Sequence, residues 1–448
     1  MKRTSQNLTD GNIPLQLFLF MQPIFLAQLC QNLYNSVDSI IVGRFVGTTA
    51  LAAVTSCGDI SHLLVSFFAG LSIGAGVVVS RYFGAEDFEK FQKSIHTTVL
   101  FAICFGIGMA VTGIIATPWL LEIVKCPPDV YGEAEVYLRI YFIGVFFTAI
   151  YNIASGILRA VGDSKDPLHF LMIACLANIV LDILLVKAFR MGVGGVALAT
   201  IVSQALSVSL IFRKMLRTED VYKLRLSELR CDRSILLEVL KSGLPAAIQM
   251  CLIAFSNLFV QRYVNMFGSD AMAGVGAAKK IDRYIGDLAK SLGMATAVFA
   301  SQNIGAKKYS RVFRGVRSAI VTGCVGITLF GGLVYLYAPA VVSVFTEDPS
   351  AVQYGVAMMR TILPLYYLLL LQQISSNVLR SFGYSILSMT AQAAGMILCR
   401  QGFLLLAMRA SYDIRHVYTS YPVGWGASAL LTFLAYFILI RWRKRESL

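Results

Sequence analysis

The chain has 448 residues, of which 57% are hydrophobic and only 14% are charged. A soluble domain carries roughly a quarter charged residues, so this composition excludes an ordinary soluble protein and indicates a multi-pass membrane protein. The formal net charge of +14 does not indicate a nucleic-acid partner, because the basic residues lie mainly between the apolar segments, where they determine membrane topology.

Apolar stretches of about 20 residues predict membrane-spanning helices. The chain has twelve of them, with approximate bounds 13–41, 50–80, 92–117, 131–157, 168–188, 193–213, 239–264, 271–300, 313–337, 350–378, 387–408 and 422–441. Lys and Arg are concentrated in the segments that lie on one side of the membrane if both termini are cytoplasmic. We therefore expect an all-α protein of the plasma membrane with twelve transmembrane helices and both termini in the cytoplasm.

The second half of the chain repeats the first. The segment GTTALAAVTSCGDI (47–60) corresponds to GSDAMAGVGAAKKI (268–281), and SRYFGAEDF (80–88) corresponds to SQNIGAKKY (301–309). In both cases the second copy begins 221 residues after the first. A constant shift over separate blocks indicates an internal duplication of six helices.

This duplication predicts the domain organisation. We expect two six-helix bundles, residues 1–212 and 242–448, joined by a polar cytoplasmic linker over 213–241. A unit with an even number of helices keeps its orientation in the membrane, so the halves are predicted to be parallel repeats related by a pseudo-two-fold axis along the membrane normal. Duplicated halves of this kind are typical of transporters.

A polar stripe interrupts the first apolar stretch, in the segment AQLCQNLYNSVDSIIVG (27–43). Its polar side chains recur every three or four residues and therefore share one face of a helix. They are Gln28, Gln31, Asn35 and Asp38. An ionisable side chain costs at least about 2.5–3.5 kcal/mol inside a membrane helix, so a carboxylate at this place indicates a functional site.

Asp182, in LANIVLDILL, is a second carboxylate within an apolar stretch. A rise of about 1.5 Å per residue along the predicted helices brings four polar side chains to one depth in the outer half of the N-terminal bundle. They are Asp38, Asn178, Asp182 and Thr200. Oxygen ligands of this kind suit Na⁺, whereas two nearby carboxylates in a low dielectric suit a proton site.

The duplication provides an internal control for this hypothesis. The corresponding positions of the second half are all apolar, namely Phe259, Cys399, Phe403 and Leu430. A polar group that is present in only one half favours a specialised cation site. The alternative is a buried hydrogen-bond network that only holds the helices together.

Other residues are candidates for a hinge, a cavity or a gate. Pro23 interrupts the backbone hydrogen bonds of the first helix, where it forms either a hinge or a static kink. The possible cavity or gate residues are Gln31, Tyr34, Asn35, Asp59, Tyr137, Tyr141, Lys280 and Asp282. The alternative for the charged members is a cluster at the membrane interface, and the aromatic members could simply pack. The interpretation as close-packing sites applies to Gly70, Gly74 and Gly76.

Two segments, YNSVDSIIVGRFVGTTALAAV (34–54) and SQNIGAKKYSR (301–311), resemble signatures of the multidrug and toxic compound extrusion (MATE) family. The resemblance extends over nearly the whole chain. It implies a secondary active antiporter that exports organic cations or amphipathic compounds in exchange for H⁺ or Na⁺ by alternating access. It also implies a monomer in the lipid bilayer, with no cofactor besides the coupling ion.

The resemblance implies roles for individual residues as well. The family's cation site, including a possible Na⁺ site, falls on Asp38, Asn178, Asp182 and Thr200, and its bending proline falls on Pro23. NorM-like members carry a carboxylate in the seventh helix, whereas PAAIQMCLIAFSNLFV (245–260) has none. This departure favours the DinF-like branch and a mechanism in the N-terminal half.

Two other functions compete with drug export. A flippase for a lipid-linked sugar or another lipid would share the bundle architecture, but it typically has a more basic central cavity than these internal carboxylates indicate. A membrane enzyme is not indicated, because the sequence has no HExxH metal motif, no GxSxG nucleophile elbow and no Walker loop. We therefore expect a transporter and not an enzyme.

Overall fold

The computed structural model describes residues 7–446 of the chain. Within this range, the side chains that are not described are those of Asn35, Ser39, Thr48, Thr49, Leu51, Ser56, Asp59 and residues 440–446. The described residues form helices and turns, and no strand occurs among them. The prediction of an all-α protein is confirmed.

The helices of the first half are α1 (Ile13–Ile41), α2 (Thr48–Gly84), α3 (Phe88–Ile123), α4 (Pro128–Ala160), α5 (Lys165–Asp182) and α6 (Gly192–Arg217). Those of the second half are α7 (Arg233–Asn265), α8 (Ser269–Gly305), α9 (Tyr309–Leu336), the short α10 (Ala338–Ser343), α11 (Pro349–Ile362), α12 (Tyr366–Ser381), α13 (Ser385–Ala393), α14 (Arg400–Ala410) and α15 (Arg415–Glu446). A 3₁₀ turn around Pro364 joins α11 to α12, and a π-helical turn joins α13 to α14.

Eleven helical segments in the described part of the chain are long and apolar enough to cross a membrane. The remaining predicted span is α8, which is equally long at 37 residues but carries several charges in its first half. Helices extend beyond the predicted apolar stretches, and α7 begins at Arg233 where the apolar pattern begins near 239. A helix does not need to end at the membrane surface, because polar side chains can continue it into water.

The residues form two compact units by their contacts. One unit comprises Leu26–Ala247, and the other comprises Leu8–Phe25 and the chain from Ile248 onward. In the first unit α4 packs against α2, α3 and α6, and in the second unit α12 packs against α8, α9 and α15. The predicted domain boundaries at 212 and 242 stay a prediction.

The duplication is also visible in the backbone. Left-handed conformations recur in pairs that are 221 residues apart, namely Gly47 and Gly268, Gly162 and Gly383, and Glu86 and Lys307. Gly47 and Gly268, with φ of +125° and +91°, directly precede α2 and α8. Glycine adopts this conformation without the steric cost of a side chain. In both halves the equivalent helix therefore begins directly after a glycine in the left-handed conformation.

The segment between α6 and α7 packs onto α3 within the first unit. The backbone N–H of Arg225 donates to Nε2 of His96 at 3.2 Å, and the N–H of Asp232 donates to Oγ1 of Thr97 at 3.0 Å. Tyr222 and Leu224 are buried. The predicted linker therefore has a defined position on the first unit, and its non-helical part is shorter than 213–241.

Candidate ion-binding site

The four residues predicted to bind the coupling cation lie on three helices of the first unit. Asp38 is near the end of α1, Asn178 and Asp182 are one turn apart on α5, and Thr200 is on α6. A π-helical turn follows soon after each carboxylate, at Val42–Val46 and Ile183–Ala188. Such turns are frequent at functional sites, because the extra residue changes the direction of neighbouring side chains.

Asn178 bridges the two carboxylates. Its Nδ2 donates to Oδ1 of Asp38 at 2.9 Å and to Oδ2 of Asp182 at 3.1 Å, while its Oδ1 accepts from the backbone N–H of Thr200 at 3.3 Å. The amide is assigned this way because the opposite orientation would point its oxygen at two acceptors. One amide therefore holds a carboxylate from α1 and another from α5 against the backbone of α6.

Thr200 and Tyr34 extend this network. The Tyr34 hydroxyl donates to Oγ1 of Thr200 at 3.2 Å, and Thr200 in turn donates to the carbonyl of Val196 at 3.1 Å. Tyr34 lies one turn before Asp38 on α1, and its hydroxyl also interacts with the Asp38 carboxyl. The tyrosine was predicted only as a cavity or gate residue, and the structure brings it into the candidate ion-binding site.

The site is buried and carries two carboxyl groups. Asn178 and Asp182 are 0% exposed, Asp38 is half-buried, and the two carboxyls interact with each other. Among the described residues, no cationic side chain lies within 4.0 Å of either carboxyl, and no donor reaches Oδ1 of Asp182. Burying a carboxylate without a compensating charge is costly. The geometry therefore suits a proton or a small cation that neutralises the pair.

The side chains at the site determine which cations could bind there. No group of three or more His, Cys, Asp or Glu side chains is placed to hold a metal ion in the part of the chain that the structure describes. Two carboxyls, an amide and a hydroxyl are hard oxygen donors. They fit an alkali cation better than a transition metal.

Two further candidates, Tyr137 and Tyr141, lie on α4 beside this site. Their rings are stacked, with centroids 6.0 Å apart and an interplanar angle of 21°. Tyr137 is buried and close enough to Asp38 and Asp182 to interact with both electrostatically. Gln31 is half-buried on α1. The two stacked rings form an aromatic surface beside the carboxylates.

Of the other predicted residues, two lie away from this site and the side chains of two are not described. The side chains of Asn35 and Asp59 lie outside the described residues. Lys280 and Asp282 lie on α8 in the second unit, where Lys280 is exposed with its Nζ 5.4 Å from the centroid of the Phe345 ring. Asp282 accepts a hydrogen bond from the Tyr366 hydroxyl. Lys280 and Asp282 therefore belong to a separate environment.

Pro23 lies in the interior of α1, and its side chain is buried in the second unit. The helix continues through it without the backbone hydrogen bond that the proline nitrogen cannot donate. Its role as a hinge stays a prediction.

Sequence analysis missed three polar residues of the second unit. Arg380 and Arg400 are the largest fully buried side chains of the described chain, and Lys279 is half-buried on α8. Arg400 follows the apolar run AAGMILC, and a lone arginine in such a run was the signal that could have found it.

The profile of a family described as MatE matches residues 23–184 and 245–403. A probable multidrug resistance protein of Bacillus subtilis strain 168, YoeA, is 28% identical over 441 residues, which cover 96% of this chain and 94% of that protein. YpnP of the same strain, also described as a probable multidrug resistance protein, is 29% identical over 381 residues, which cover 84% of each chain.

The fold also matches a solved structure. A multidrug resistance MATE family transporter of the MOP superfamily, in its outward-facing conformation, superimposes with a TM-score of 0.92. That similarity covers 99% of both chains at 21% sequence identity. It shows the fold independently of the sequence pattern.

Proposed function

Because this chain belongs to the MatE family, we propose that it exports a range of small organic molecules across the plasma membrane, in exchange for H⁺ or Na⁺, by alternating access. Its relatives YoeA and YpnP are named as probable multidrug resistance proteins. We expect the exported compounds to include organic cations and other amphipathic molecules. We further expect a monomer with both termini in the cytoplasm and no nucleic-acid partner.

The observation that carries the coupling mechanism is the pair of buried carboxyls joined by Asn178. Asp38 and Asp182 belong to different helices, and the same amide contacts both. An ion that neutralises this pair removes a repulsion between α1 and α5. The ion therefore binds more tightly to the conformation in which the two carboxyls are close, and it shifts the population toward that conformation.

The two candidate ions would use Asn178 in different ways. If a proton neutralises the pair, the Nδ2 group donates to both carboxyls, as in the geometry above. If Na⁺ binds, the amide oxygen would turn toward the carboxyl oxygens and join Thr200 as a neutral ligand, because cations are bound by oxygen atoms. The two modes predict different effects of replacing the Asn178 amide by a hydrocarbon side chain. Asn178→Leu removes a Na⁺ ligand, whereas a proton can still bind to a carboxyl.

Pro23 is proposed to let α1 bend. A proline within a helix removes one backbone hydrogen bond, so bending at this position costs less than elsewhere. Asp38 lies on the same helix, after the proline. We propose that neutralising Asp38 changes the balance between a straighter and a more bent α1, which opens or closes the route of the exported molecule.

Export under imposed gradients tests the proposal. Ethidium efflux is measured in proteoliposomes that contain the purified full-length protein, with a pH gradient or a Na⁺ gradient imposed separately. We expect one of the gradients to drive efflux in the wild type. We expect Asp38→Asn and Asp182→Asn each to reduce that efflux at least about tenfold, because a neutral amide no longer takes up the ion.

A matched control is Asp129→Asn, which changes an exposed carboxylate in the first turn of α4. Its efflux should stay within about twofold of the wild type. Undiminished efflux in Asp38→Asn would contradict the coupling role. If neither gradient drives ethidium efflux but a fluorescent lipid crosses the bilayer, the flippase alternative would replace the export function.

A further inference from the structure

The second unit buries a cation without a matching anion. Arg400, the first residue of α14, is 0% exposed and lies within a membrane-spanning segment. An arginine at this depth is costly unless its charge and its five donors are compensated. The contacts of its guanidinium therefore indicate what the site is built to hold.

Those contacts leave part of the guanidinium unpaired. Nη1 donates to Oδ1 of Asn257 at 2.8 Å, and the guanidinium carbon lies 4.4 Å from the centroid of the Tyr421 ring. Within the described part of the chain, Nε and Nη2 of Arg400 make no well-formed hydrogen bond, and the Tyr421 hydroxyl interacts with the guanidinium without completing one. No carboxylate of the described residues lies within 4.0 Å of Arg400. Three of the five N–H groups of this buried cation, one on Nε and two on Nη2, thus lack a well-formed hydrogen bond.

A second cation lies beside the first. Nζ of Lys279 donates to Oε1 of Gln261 at 2.6 Å. Asn257 and Gln261 are four residues apart on α7 and share one face of that helix. The two cations are therefore held next to each other by two neutral amides. We name Asn257, Gln261, Lys279 and Arg400 the α7 basic cluster.

One carboxylate partly offsets this charge. Asp282 interacts electrostatically with both Lys279 and Arg400, but its carboxyl is held by the Tyr366 hydroxyl and forms no ion pair with either cation. Two cations against one anion leave an excess of one positive charge. A further anionic group would remove this excess.

The α7 basic cluster is accessible on one side. Asn257 is exposed, and Gln261 and Lys279 are half-buried. Arg400 itself is buried and donates to the amide oxygen of the exposed Asn257. An anionic oxygen that replaced the Asn257 oxygen would accept from Arg400 more strongly than the neutral amide does.

From this arrangement we propose that the α7 basic cluster binds the carboxylate of an exported amphipathic molecule. The proposal rests on the proposed export function and names a substrate class for it. The planar guanidinium presents two donors to a carboxylate in a fork, and Lys279 supplies a second charge. The exported compounds then include zwitterionic and acidic amphipathic molecules, and not only organic cations.

The duplication places this cluster on helices equivalent to those that carry the carboxylates of the first unit, although on other faces of them. Asn257 and Gln261 lie on either side of Phe259, which corresponds to Asp38, and Arg400 directly follows Cys399, which corresponds to Asn178. Equivalent helices thus carry an anionic site in one unit and a cationic site in the other. A packing network with no ligand would not require this reversal of charge.

Binding of two matched dyes tests the proposal. Tetramethylrhodamine has a free carboxylate, and its methyl ester differs only in that this group is neutral. Their affinities for the purified full-length protein are measured by fluorescence anisotropy. We expect the wild type to bind the acid about tenfold more tightly than the ester, because the acid alone offers a charged acceptor to Arg400 and Lys279.

Variants then test whether the α7 basic cluster causes the tighter binding of the acid. Asn257→Asp is nearly isosteric and supplies a carboxylate to Arg400 from within the chain, so the ratio of the two affinities should fall to about one. Lys279→Gln and Arg400→Gln should lower the ratio as well. If Arg400→Gln does not fold, the other two variants still decide the result. Gln353→Glu, which adds the same negative charge at an exposed position of α11, should keep the wild-type ratio.

The outcomes separate this inference from the export function. If the ester is bound and exported from cells but the acid has no advantage, or if Asn257→Asp and Lys279→Gln keep the advantage, the inference is overturned and the export function stands. If the wild type neither binds nor exports either dye, the export function fails and the inference fails with it. If short-chain phosphatidylglycerol displaces the acid but not the ester, the site belongs to a lipid phosphate and the proposal is overturned.

Discussion

Arg380 and Arg400 are both buried in the second unit, but they differ in how their donors are used. Arg380 is 1% exposed, and its Nη1 donates to Asn377 at 3.0 Å. Its Nη2 donates to Gln249 at 2.6 Å and to Ser376 at 3.2 Å. Its two terminal nitrogens are thus paired within the protein and only its Nε lacks a partner, whereas both Nε and Nη2 of Arg400 lack a well-formed hydrogen bond. Arg380 is therefore interpreted as structural, and Arg400 as part of a binding site.

This interpretation predicts a stability effect for Arg380. Arg380→Met leaves buried acceptors on Gln249 and Asn377 without their donor, and each such group costs about 1–3 kcal/mol. We expect the free energy of unfolding to fall by at least about 2 kcal/mol, measured by thermal unfolding of the purified protein. Arg360→Met, at an exposed position of α11, is the control and should change stability little. Equal stability of the two variants would contradict the structural role.

At the scale of helices, glycine determines how closely α2 and α7 approach within the first unit. A Cβ added at Gly74 would lie 2.1 Å from the Cα of Gly243, and one at Gly70 would lie 2.4 Å from the Cα of Ala247. At Gly76 the nearest atom would be the carbonyl oxygen of Gly156 at 3.5 Å, an ordinary contact. The close-packing interpretation holds for Gly70 and Gly74, while Gly76 has room for a methyl group.

The neighbouring glycines provide a matched pair of substitutions. Gly74→Ala must separate the backbones of α2 and α7, so we expect a loss of folded protein or a decrease of at least about 2 kcal/mol in the free energy of unfolding. Gly76→Ala should be neutral or slightly stabilising, because alanine is the better helix former. The yield and thermal unfolding of the two purified variants check this. Equal behaviour of both would rule out the close approach.

The beginning of α5 depends on a buried carboxyl outside the membrane-spanning segments. Oδ1 of Asp163 accepts from the backbone N–H groups of Lys165 and Asp166, both at 3.1 Å. No donor in the described chain reaches Oδ2, and the residue is 5% exposed. Burial raises the pKa of this carboxyl to about 7, partly opposed by the N–H donors.

This raised pKa predicts a pH dependence of stability. Between pH values of about 4 and 7 the folded protein keeps a proton that the unfolded chain has lost, so the free energy of unfolding falls as the pH rises through this range. Asp163→Asn keeps the Oδ1 acceptor but cannot ionise, and it should remove this part of the dependence. Thermal unfolding at pH 5, 6, 7 and 8 is the measurement. Asp129→Asn, which changes an exposed carboxylate, should keep the wild-type slope, and an equal slope in Asp163→Asn would refute the prediction.

At the scale of the whole chain, the duplication produces two equivalent sets of helices, and each set has a different polar site. The carboxylates of the first unit and the α7 basic cluster of the second lie on equivalent helices. In the two proposals above, one copy binds the coupling ion and the other contacts the exported molecule. The orientation of these sites in the membrane follows from the predicted topology, which is open to a direct test.

Two free cysteines report on this topology. Cys126 lies between α3 and α4, predicted to be outside, and Cys231 lies between α6 and α7, predicted to be cytoplasmic. In variants that keep only one of them, a membrane-impermeant maleimide added to intact cells should label Cys126 and not Cys231. Burial raises the pKa of the Cys126 thiol, so labelling is best carried out near pH 8.5. Labelling of Cys231 in intact cells, with Cys126 protected, would contradict the proposed orientation and indicate the opposite one.

Much of the fold could be predicted without coordinates. The apolar stretches predicted the membrane-spanning helices to within a few residues at most ends, and the constant shift of 221 residues reappears in backbone conformations such as those of Gly47 and Gly268. Asp38, Asn178, Asp182 and Thr200 were predicted to lie at one depth, and the structure brings them into contact. Their roles in ion binding stay predictions.

Other parts of the two sites could not be predicted. The amide that joins both carboxyls, the stacking of Tyr137 on Tyr141 and the unpaired donors of Arg400 all depend on side chains from helices that are far apart in the chain. Helical periodicity indicates which face of one helix is polar. It does not indicate which atoms of another helix that face meets.

The sequence by itself determined the class of the protein, its spans, its duplication and its family, because a bilayer requires long apolar helices and a duplication preserves the order of residues. Only the tertiary structure decided that Asn178 lies between two carboxylates and that Asn257 and Gln261 hold two cations side by side. The physical reason is that hydrogen bonds form over about 3 Å. Such distances are determined by how helices pack, and the pattern of residues along any one helix does not contain that information.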